Sequence, residues 1–132
     1  MPNILVLDTN ALIYDALRPA RLTRAARMAI ERGQVAGALA ISDITLWEVA
    51  MLIQRDRVRP GAPAAEFLET VLAARSIRVL PITPEIAVLA QAPGPNLDPA
   101  DRIIAATAIH HRAPLVTSDS RLHDLPGLET IW

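Results

Sequence analysis

The chain has 132 residues, a formal net charge of −1 and a 52% apolar composition, which is enough for one domain with a substantial core. It contains no cysteine and no lysine, so disulfides, zinc–thiolate sites and mechanisms that need a catalytic lysine are excluded. Because the net charge is near zero, a polyanionic substrate would have to be held by local arginines or by metal ions.

Membrane and secretion signals are absent from the sequence pattern. No apolar run approaches the roughly 18 residues of a membrane span, and the N-terminus lacks the basic flank and apolar core of a signal peptide. We therefore expect a cytoplasmic protein without membrane association, consisting of one domain over residues 1–132.

Short branched apolar runs alternate with helical patterns along the chain. The apolar runs predict five strands, at residues 4–7, 38–41, 77–82, 114–117 and 129–132. Helical periodicity and N-cap residues predict helices at about 11–17, 19–33, 43–55, 64–74, 84–90 and 99–111, with loops at 55–63 and 91–96. This alternation is typical of a three-layer α/β/α sandwich around a mostly parallel five-stranded sheet.

Four carboxylates lie where a helix or a short helical turn is predicted to begin. Asp8 ends the first strand, Asp119 follows the fourth, and Asp98 with Asp101 three residues later has the spacing of a capping box. Each of these acids could be no more than a helix cap. In a parallel sheet, however, the carboxyl ends of the strands face the ligand crevice, so Asp8 and Asp119 could equally lie in a site.

Glu48 has a different environment. Its helical neighbours Ile44, Met51 and Leu52 are apolar, so its carboxylate projects from an apolar face. An unpaired carboxylate there would be costly, which leaves either an arginine partner or a metal ion, and we favour the metal.

A metal ion would also explain how four carboxylates can share one crevice. Without a cation, Asp8, Glu48, Asp101 and Asp119 would repel one another and raise one another's pKa. An all-oxygen ligand set suits Mg²⁺ or Mn²⁺ rather than Zn²⁺. The three histidines, His110, His111 and His123, are interpreted as surface or helix-end residues rather than ligands.

These acids lie within four motifs, and the chain resembles the PIN-domain ribonucleases, specifically the VapC-type toxins of bacterial toxin–antitoxin pairs. The motifs are weak singly, but their order and spacing are specific: Leu7–Asn10, Ser42–Val49, Leu97–Ala108 and Leu115–Asp119. The resemblance covers nearly the whole chain. It implies the strand order 3-2-1-4-5, which would place Asp8 and Asp119 side by side.

The resemblance also implies roles for individual residues. Asp8, Glu48, Asp101 and Asp119 would be the catalytic acids and would hold one or two Mg²⁺ or Mn²⁺ ions. Asp98 would be an accessory acid or a helix cap. Residues that would orient the carboxylates or bound water are Thr9, Asn10, Thr117 and Ser118.

Hydrolysis of RNA is the implied reaction, and arginines would have to contact the phosphates. Candidates for this role are Arg21, Arg24, Arg57, Arg59 and Arg102, although Arg102 could instead pair with a site carboxylate. Aromatic residues are few, so base stacking cannot be extensive. Trp47 is interpreted as a core or interface residue.

Homodimers and a small antitoxin protein are further implications of the resemblance. Two other interpretations stay open on the sequence alone. One is a PIN-like scaffold that binds RNA or protein without cutting it, and the other is a nuclease or phosphatase that acts on DNA or another phosphate ester with the same acids.

Overall fold

Five short strands form one parallel sheet in the computed structural model, which describes residues 3–92 and 96–132. The strands are β1 (Leu5–Leu7), β2 (Leu39–Ser42), β3 (Arg78–Leu80), β4 (Leu115–Val116) and β5 (Thr130–Ile131). Their spatial order is 3-2-1-4-5, and all four pairings are parallel. The predicted fold class and strand order are confirmed, and the sheet is wholly rather than mostly parallel.

Within the same described ranges, seven α-helices connect the strands and cover both faces of the sheet. They are α1 (Thr9–Leu17), α2 (Arg24–Val35), α3 (Asp43–Gln54), α4 (Ala64–Ala74), α5 (Pro84–Leu89), α6 (Pro99–His110) and α7 (Ser120–His123). No helix of the described residues combines the length and apolarity that a membrane crossing requires.

Alternation along the strands divides the core in two. Leu5 and Leu7 of β1 face a cluster that includes residues of α1, α2 and α4, whereas Val6 faces a second cluster built on α6. All three side chains are buried. Burial on both faces explains why the strand is a continuous apolar run rather than an alternating one.

The second helix begins later than predicted. Pro19 opens a separate 3₁₀ turn, Pro19–Arg21, and α2 starts at Arg24 because the Thr23 hydroxyl accepts a hydrogen bond from the Ala26 amide at 3.1 Å. Gly33 lies inside α2 rather than ending it. A Cβ at Gly33 would come within 2.6 Å of Leu39 Cδ2, so the glycine allows α2 to pack closely on β2.

Most other predicted boundaries agree with the structure to within one to three residues. The strands are generally shorter than predicted, and β2 ends one residue later, at Ser42. The predicted loop 91–96 includes residues 93–95, which lie outside the described residues.

The pairing of β1 with β4 sets the position of the site. Leu7 is aligned with Val116, and the Asp8 amide donates to the Val116 carbonyl at 3.1 Å. The residues that follow the two strands, Asp8 and Thr117, therefore emerge next to each other at the carboxyl edge of the sheet.

Candidate active site

Asp8 lies at the centre of this edge, at the junction of β1 and α1. It is the N-cap of α1, and its Oδ1 accepts a hydrogen bond from the Ala11 amide at 2.7 Å. The Thr117 hydroxyl is a second hydrogen-bond partner. Asp8 is 8% exposed, which is unusual for an aspartate. The capping interpretation is therefore correct for one oxygen, and it leaves the rest of the carboxylate directed toward the other acids.

Asp119 follows β4 and is the N-cap of α7. Its Oδ1 accepts from the Arg121 amide at 3.0 Å, and its own amide donates to the Thr117 hydroxyl at 3.1 Å. Thr117 is completely buried and contacts both Asp8 and Asp119. This single hydroxyl therefore couples the acids of the two neighbouring strands.

Glu48 reaches the site from the middle of α3. Its Oε1 accepts a hydrogen bond from the hydroxyl of Thr9, the first residue of α1. That hydroxyl also lies 3.3 Å from the hydroxyl of the buried Thr45, one turn earlier on α3. The Glu48 side chain is half-buried and is tied to a residue adjacent to Asp8.

Asp101 comes from the first turn of α6, which packs against α3. Its carboxylate is 27% exposed, and its Oδ2 lies 3.6 Å from Nη2 of Arg121. The negative charges of Glu48, Asp119 and Asp98 all act on it.

The four acids influence one another electrostatically. Burial raises the pKa of Asp8 to about 6, and the charges of Asp119 and Glu48 contribute in the same direction. Burial likewise raises the pKa of Asp101 to about 6, together with the charges of Glu48 and Asp119. In contrast, hydrogen bonds from Arg121 lower the pKa of Asp119. The cost of ionising Asp8 and Asp101 is thus only partly compensated by their neighbours.

This donor set fits a hard divalent cation in its chemistry. It consists of carboxylate oxygens from two strand ends and two helices, and a cation would relieve the repulsion that raises the two pKa values. Within residues 3–92 and 96–132, no three Asp, Glu or His side chains are arranged closely enough to ligate one ion. Protein hydrogen bonds engage oxygens of Asp8, Glu48 and Asp119 instead.

Other residues predicted to support the site are distributed unevenly. Asp98 is the backbone N-cap of α6, but its exposed carboxylate makes no capping hydrogen bond to the described residues, so the predicted capping box does not form. It acts on Asp101 through its charge. Asn10 and Ser118 are exposed. Thr9 and Thr117 are buried and contact the acids directly.

The arginine beside the acids is not the one the sequence suggested. Arg102 points away and donates to the carbonyl oxygens of Leu97 and Ala92, at 3.4 and 3.3 Å. Arg121 instead places Nη2 2.7 Å from Asp119 Oδ2 and Nε 3.0 Å from Asp119 Oδ1. The sequence feature that corresponds to this contact is an arginine two positions after a capping aspartate.

Several of the other candidate arginines line one groove of about 540 Å³. Its wall includes Asn10 next to the acids, Tyr14, and four arginines, which are Arg18, Arg21, Arg57 and Arg59. The Arg21 guanidinium lies over the Tyr14 ring, 5.1 Å from its centroid. Arg59 is held by two hydrogen bonds to Asp56, at 2.8 and 2.7 Å. Arg24 is exposed on α2 and is not among the lining residues.

Comparison with known proteins agrees with this architecture. The PIN domain family matches residues 5–128. The chain is 38% identical to Ribonuclease VapC22 of Mycobacterium tuberculosis, in an alignment that covers 96% of this chain and 97% of that protein.

Solved structures of other proteins share this fold. A toxin–antitoxin complex from Klebsiella pneumoniae contains a chain that is 28% identical, with a TM-score of 0.62 over 94% of each chain. VapBC2 from Rickettsia felis, bound to a promoter DNA fragment, shares the fold at 19% identity, with a TM-score of 0.70 over 96% of each chain. The chain belongs to the PIN-domain family and to its VapC ribonuclease group.

Proposed function

We propose that this protein is a metal-dependent endoribonuclease that acts as the toxin of a toxin–antitoxin pair. The observation that carries the proposal is the convergence of Asp8, Glu48, Asp101 and Asp119 at the carboxyl edge of the sheet. Membership of the VapC group supports the reaction class, since the 38% identical relative is a ribonuclease.

One or two Mg²⁺ or Mn²⁺ ions are the proposed cofactor, and the same four acids would hold them once their side chains leave their present hydrogen-bond partners and move closer together. Such an ion supplies charge neutralisation at the phosphodiester and a water of lowered pKa. The chain's own contribution is orientation. The Ala11 amide fixes Asp8, the Thr9 hydroxyl fixes Glu48, and Thr117 links Asp8 to Asp119.

RNA is the proposed substrate, and the arginine-lined groove is its proposed path. The lining of the groove includes Asn10, two residues after Asp8, which supports a path that leads to the acids. Arg57 and Arg21 offer positive charge along an otherwise slightly acidic protein. The sparse aromatic content is consistent with recognition through phosphates and shape.

An antitoxin and a second copy of the chain are the proposed partners. The 28% identical chain comes from a structure described as a toxin–antitoxin complex, which supports a partner of that kind. Trp47 is 60% exposed, so it is not a core residue. Ile82, which follows the edge strand β3, is 39% exposed, and the exposure of these two large apolar side chains supports a homodimer interface. Light scattering of Trp47→Glu would test this, and a dimer of unchanged size would contradict it.

The RNA substrate would place this activity in the cytoplasm. Two alternatives make different predictions: a scaffold that binds RNA or protein without cutting it, and a nuclease or phosphatase that acts on DNA or another phosphate ester. These alternatives predict either no cleavage or preferential hydrolysis of another substrate.

Cleavage of total cellular RNA by the purified protein in Mg²⁺ or Mn²⁺ tests the proposal. Controls are EDTA and Asp8→Asn, which preserves the cap because the amide oxygen can still accept from Ala11. We expect discrete fragments that disappear in both controls. Equal or faster hydrolysis of single-stranded DNA or of a phosphomonoester would reassign the substrate, and intact RNA under all conditions would refute the ribonuclease.

A further inference from the structure

The Arg121 guanidinium occupies the acidic cluster from within the same chain. Nη2 and Nε bond the two oxygens of Asp119 at 2.7 and 3.0 Å, and Nη2 also lies 3.6 Å from Asp101 Oδ2. Nη1 donates to the Asn96 carbonyl at 2.9 Å. One arginine thereby places its positive charge beside two of the four acids.

This arrangement conflicts with simultaneous metal ligation. Both Asp119 oxygens already accept hydrogen bonds from the guanidinium, and Oδ1 accepts a further one from the Arg121 amide. A cation bound between Asp119 and Asp101 would lie next to a like charge unless the guanidinium moved away. The Arg121 side chain is 49% exposed and α7 has only four residues, so the side chain has solvent into which it can swing.

We propose that Arg121 is an internal counter-cation that holds Asp119 and Asp101 in the metal-free protein and competes with the divalent ion for them. It is a positioning residue rather than a catalytic one. The inference rests on the proposed metal site. Competition and a purely structural role predict opposite effects of Arg121 on metal affinity. An arginine that only aligned Asp119 would strengthen metal binding, whereas a competitor weakens it.

Calorimetric titration with Mn²⁺ of the whole protein, with Arg121→Gln beside the wild type, tests this. We expect Arg121→Gln to bind Mn²⁺ more tightly, by about two- to fivefold, which is the range of a partly exposed ion pair. Its melting temperature in EDTA should fall, because Asp101 and Asp119 lose their shared counter-charge. Arg121→Lys keeps the charge and should return both quantities toward the wild-type values.

Arg32→Gln is the matched control for the change in net charge. Arg32 is exposed near the end of α2, and α2 leads into the start of β2. Arg32 therefore lies near the amino ends of the strands, whereas the acids lie at their carboxyl ends. Its affinity for Mn²⁺ should equal that of the wild type. Mn²⁺ binding by Arg121→Gln that is equal to or weaker than that of the wild type would overturn the proposed competition and leave the proposed metal site standing. Absence of Mn²⁺ binding by the wild type and by Arg121→Gln would overturn the metal site and the competition together.

Discussion

The Thr9 hydroxyl donates a hydrogen bond to Glu48 Oε1 and so ties the first turn of α1 to the middle of α3. Thr9 directly follows Asp8, so one backbone segment supplies an acid and orients a second one. Glu48 is half-buried, and the hydroxyl compensates part of its desolvation. The geometry explains how an acid from a helix can be held in register with an acid from a strand.

Thr9→Val should therefore reduce cleavage through loss of the Glu48 orientation, since the variant keeps all four acids but removes the hydroxyl that holds Glu48. Valine has nearly the same shape but no donor, so Glu48 becomes free to turn away, and residues that orient ligands are typically worth about 10- to 100-fold in metal affinity or activity. RNA cleavage rates and Mn²⁺ titration measure this. Thr9→Ser keeps the hydroxyl and should retain most activity. Full activity of Thr9→Val together with a loss in Thr9→Ser would point to packing around the threonine methyl instead.

Stability without metal should fall as the pH rises through the range in which Asp8 ionises. Its pKa is about 6 in the folded chain and 3.8 for an ordinary aspartate, so between these values the folded state binds more protons than the unfolded state. The associated loss is about 3 kcal/mol for Asp8 and less for the more exposed Asp101. The pKa of Asp119 is lowered, so its contribution to the stability of the folded chain is lost only at more acidic pH.

Asp8→Asn isolates this contribution, since it keeps the α1 cap and removes the charge. Urea unfolding in EDTA between about pH 4 and about pH 7, which covers the interval between the two pKa values, should give a shallower pH dependence for the variant and greater stability near neutral pH. His111, whose pKa burial lowers, acts in the opposite direction but equally in both proteins, so it cancels in the difference. If the free energy of unfolding depended on pH in the same way in both proteins, ionisation of Asp8 would not destabilise the folded chain.

The sequence predicted the positions of the acids well because their signals are local. A branched apolar run that ends in aspartate marks the carboxyl end of a buried strand at Asp8, and Asp119 follows β4 after Thr117 and Ser118. The half-buried position of Glu48 was predictable from the apolar residues one turn away on either side of it. The strand order followed from the family resemblance rather than from any local signal.

Features that depend on competition between neighbours were predicted less well. Pro19 and Thr23 both carry helix-start signals, and the α2 cap formed at Thr23. Arg102 and Arg121 both stand near an acid in sequence, but Arg121 comes two residues after its capping aspartate and Arg102 four residues after Asp98. The side chain of Arg121 folds back on Asp119. The exposure of Trp47 depends on packing that local periodicity does not specify.

Salt dependence of RNA binding should separate the arginines of the groove. Arg57→Gln should flatten the logarithmic salt slope by about 0.7, the value for one phosphate of a single strand. Arg59→Gln should have a smaller effect, because Asp56 already neutralises Arg59 through two hydrogen bonds. Arg24→Gln, outside the groove lining, is the control and should not change the slope. An effect of Arg24→Gln equal to that of Arg57→Gln would move the RNA path to α2.

A buried ion pair distant from the acids should control stability instead of activity. Arg75 donates to both Asp15 oxygens at 2.6 and 2.9 Å and to Gln34 Oε1 at 2.6 Å, which joins the end of α4 to α1 and α2. The Asp15 side chain is only 8% exposed. Arg75→Met would leave this carboxylate buried without its partner and should lower the free energy of unfolding by about 3 kcal/mol.

Combining Arg75→Met with Asp15→Leu provides the critical comparison. The double variant replaces both charges by apolar groups of similar size, so it should be closer in stability to the wild type than Arg75→Met is. Urea unfolding of the wild type, both single variants and the double variant measures the coupling. If the double variant were destabilised by the sum of the two single effects, the cost would come from lost packing at each site rather than from an unpaired buried charge.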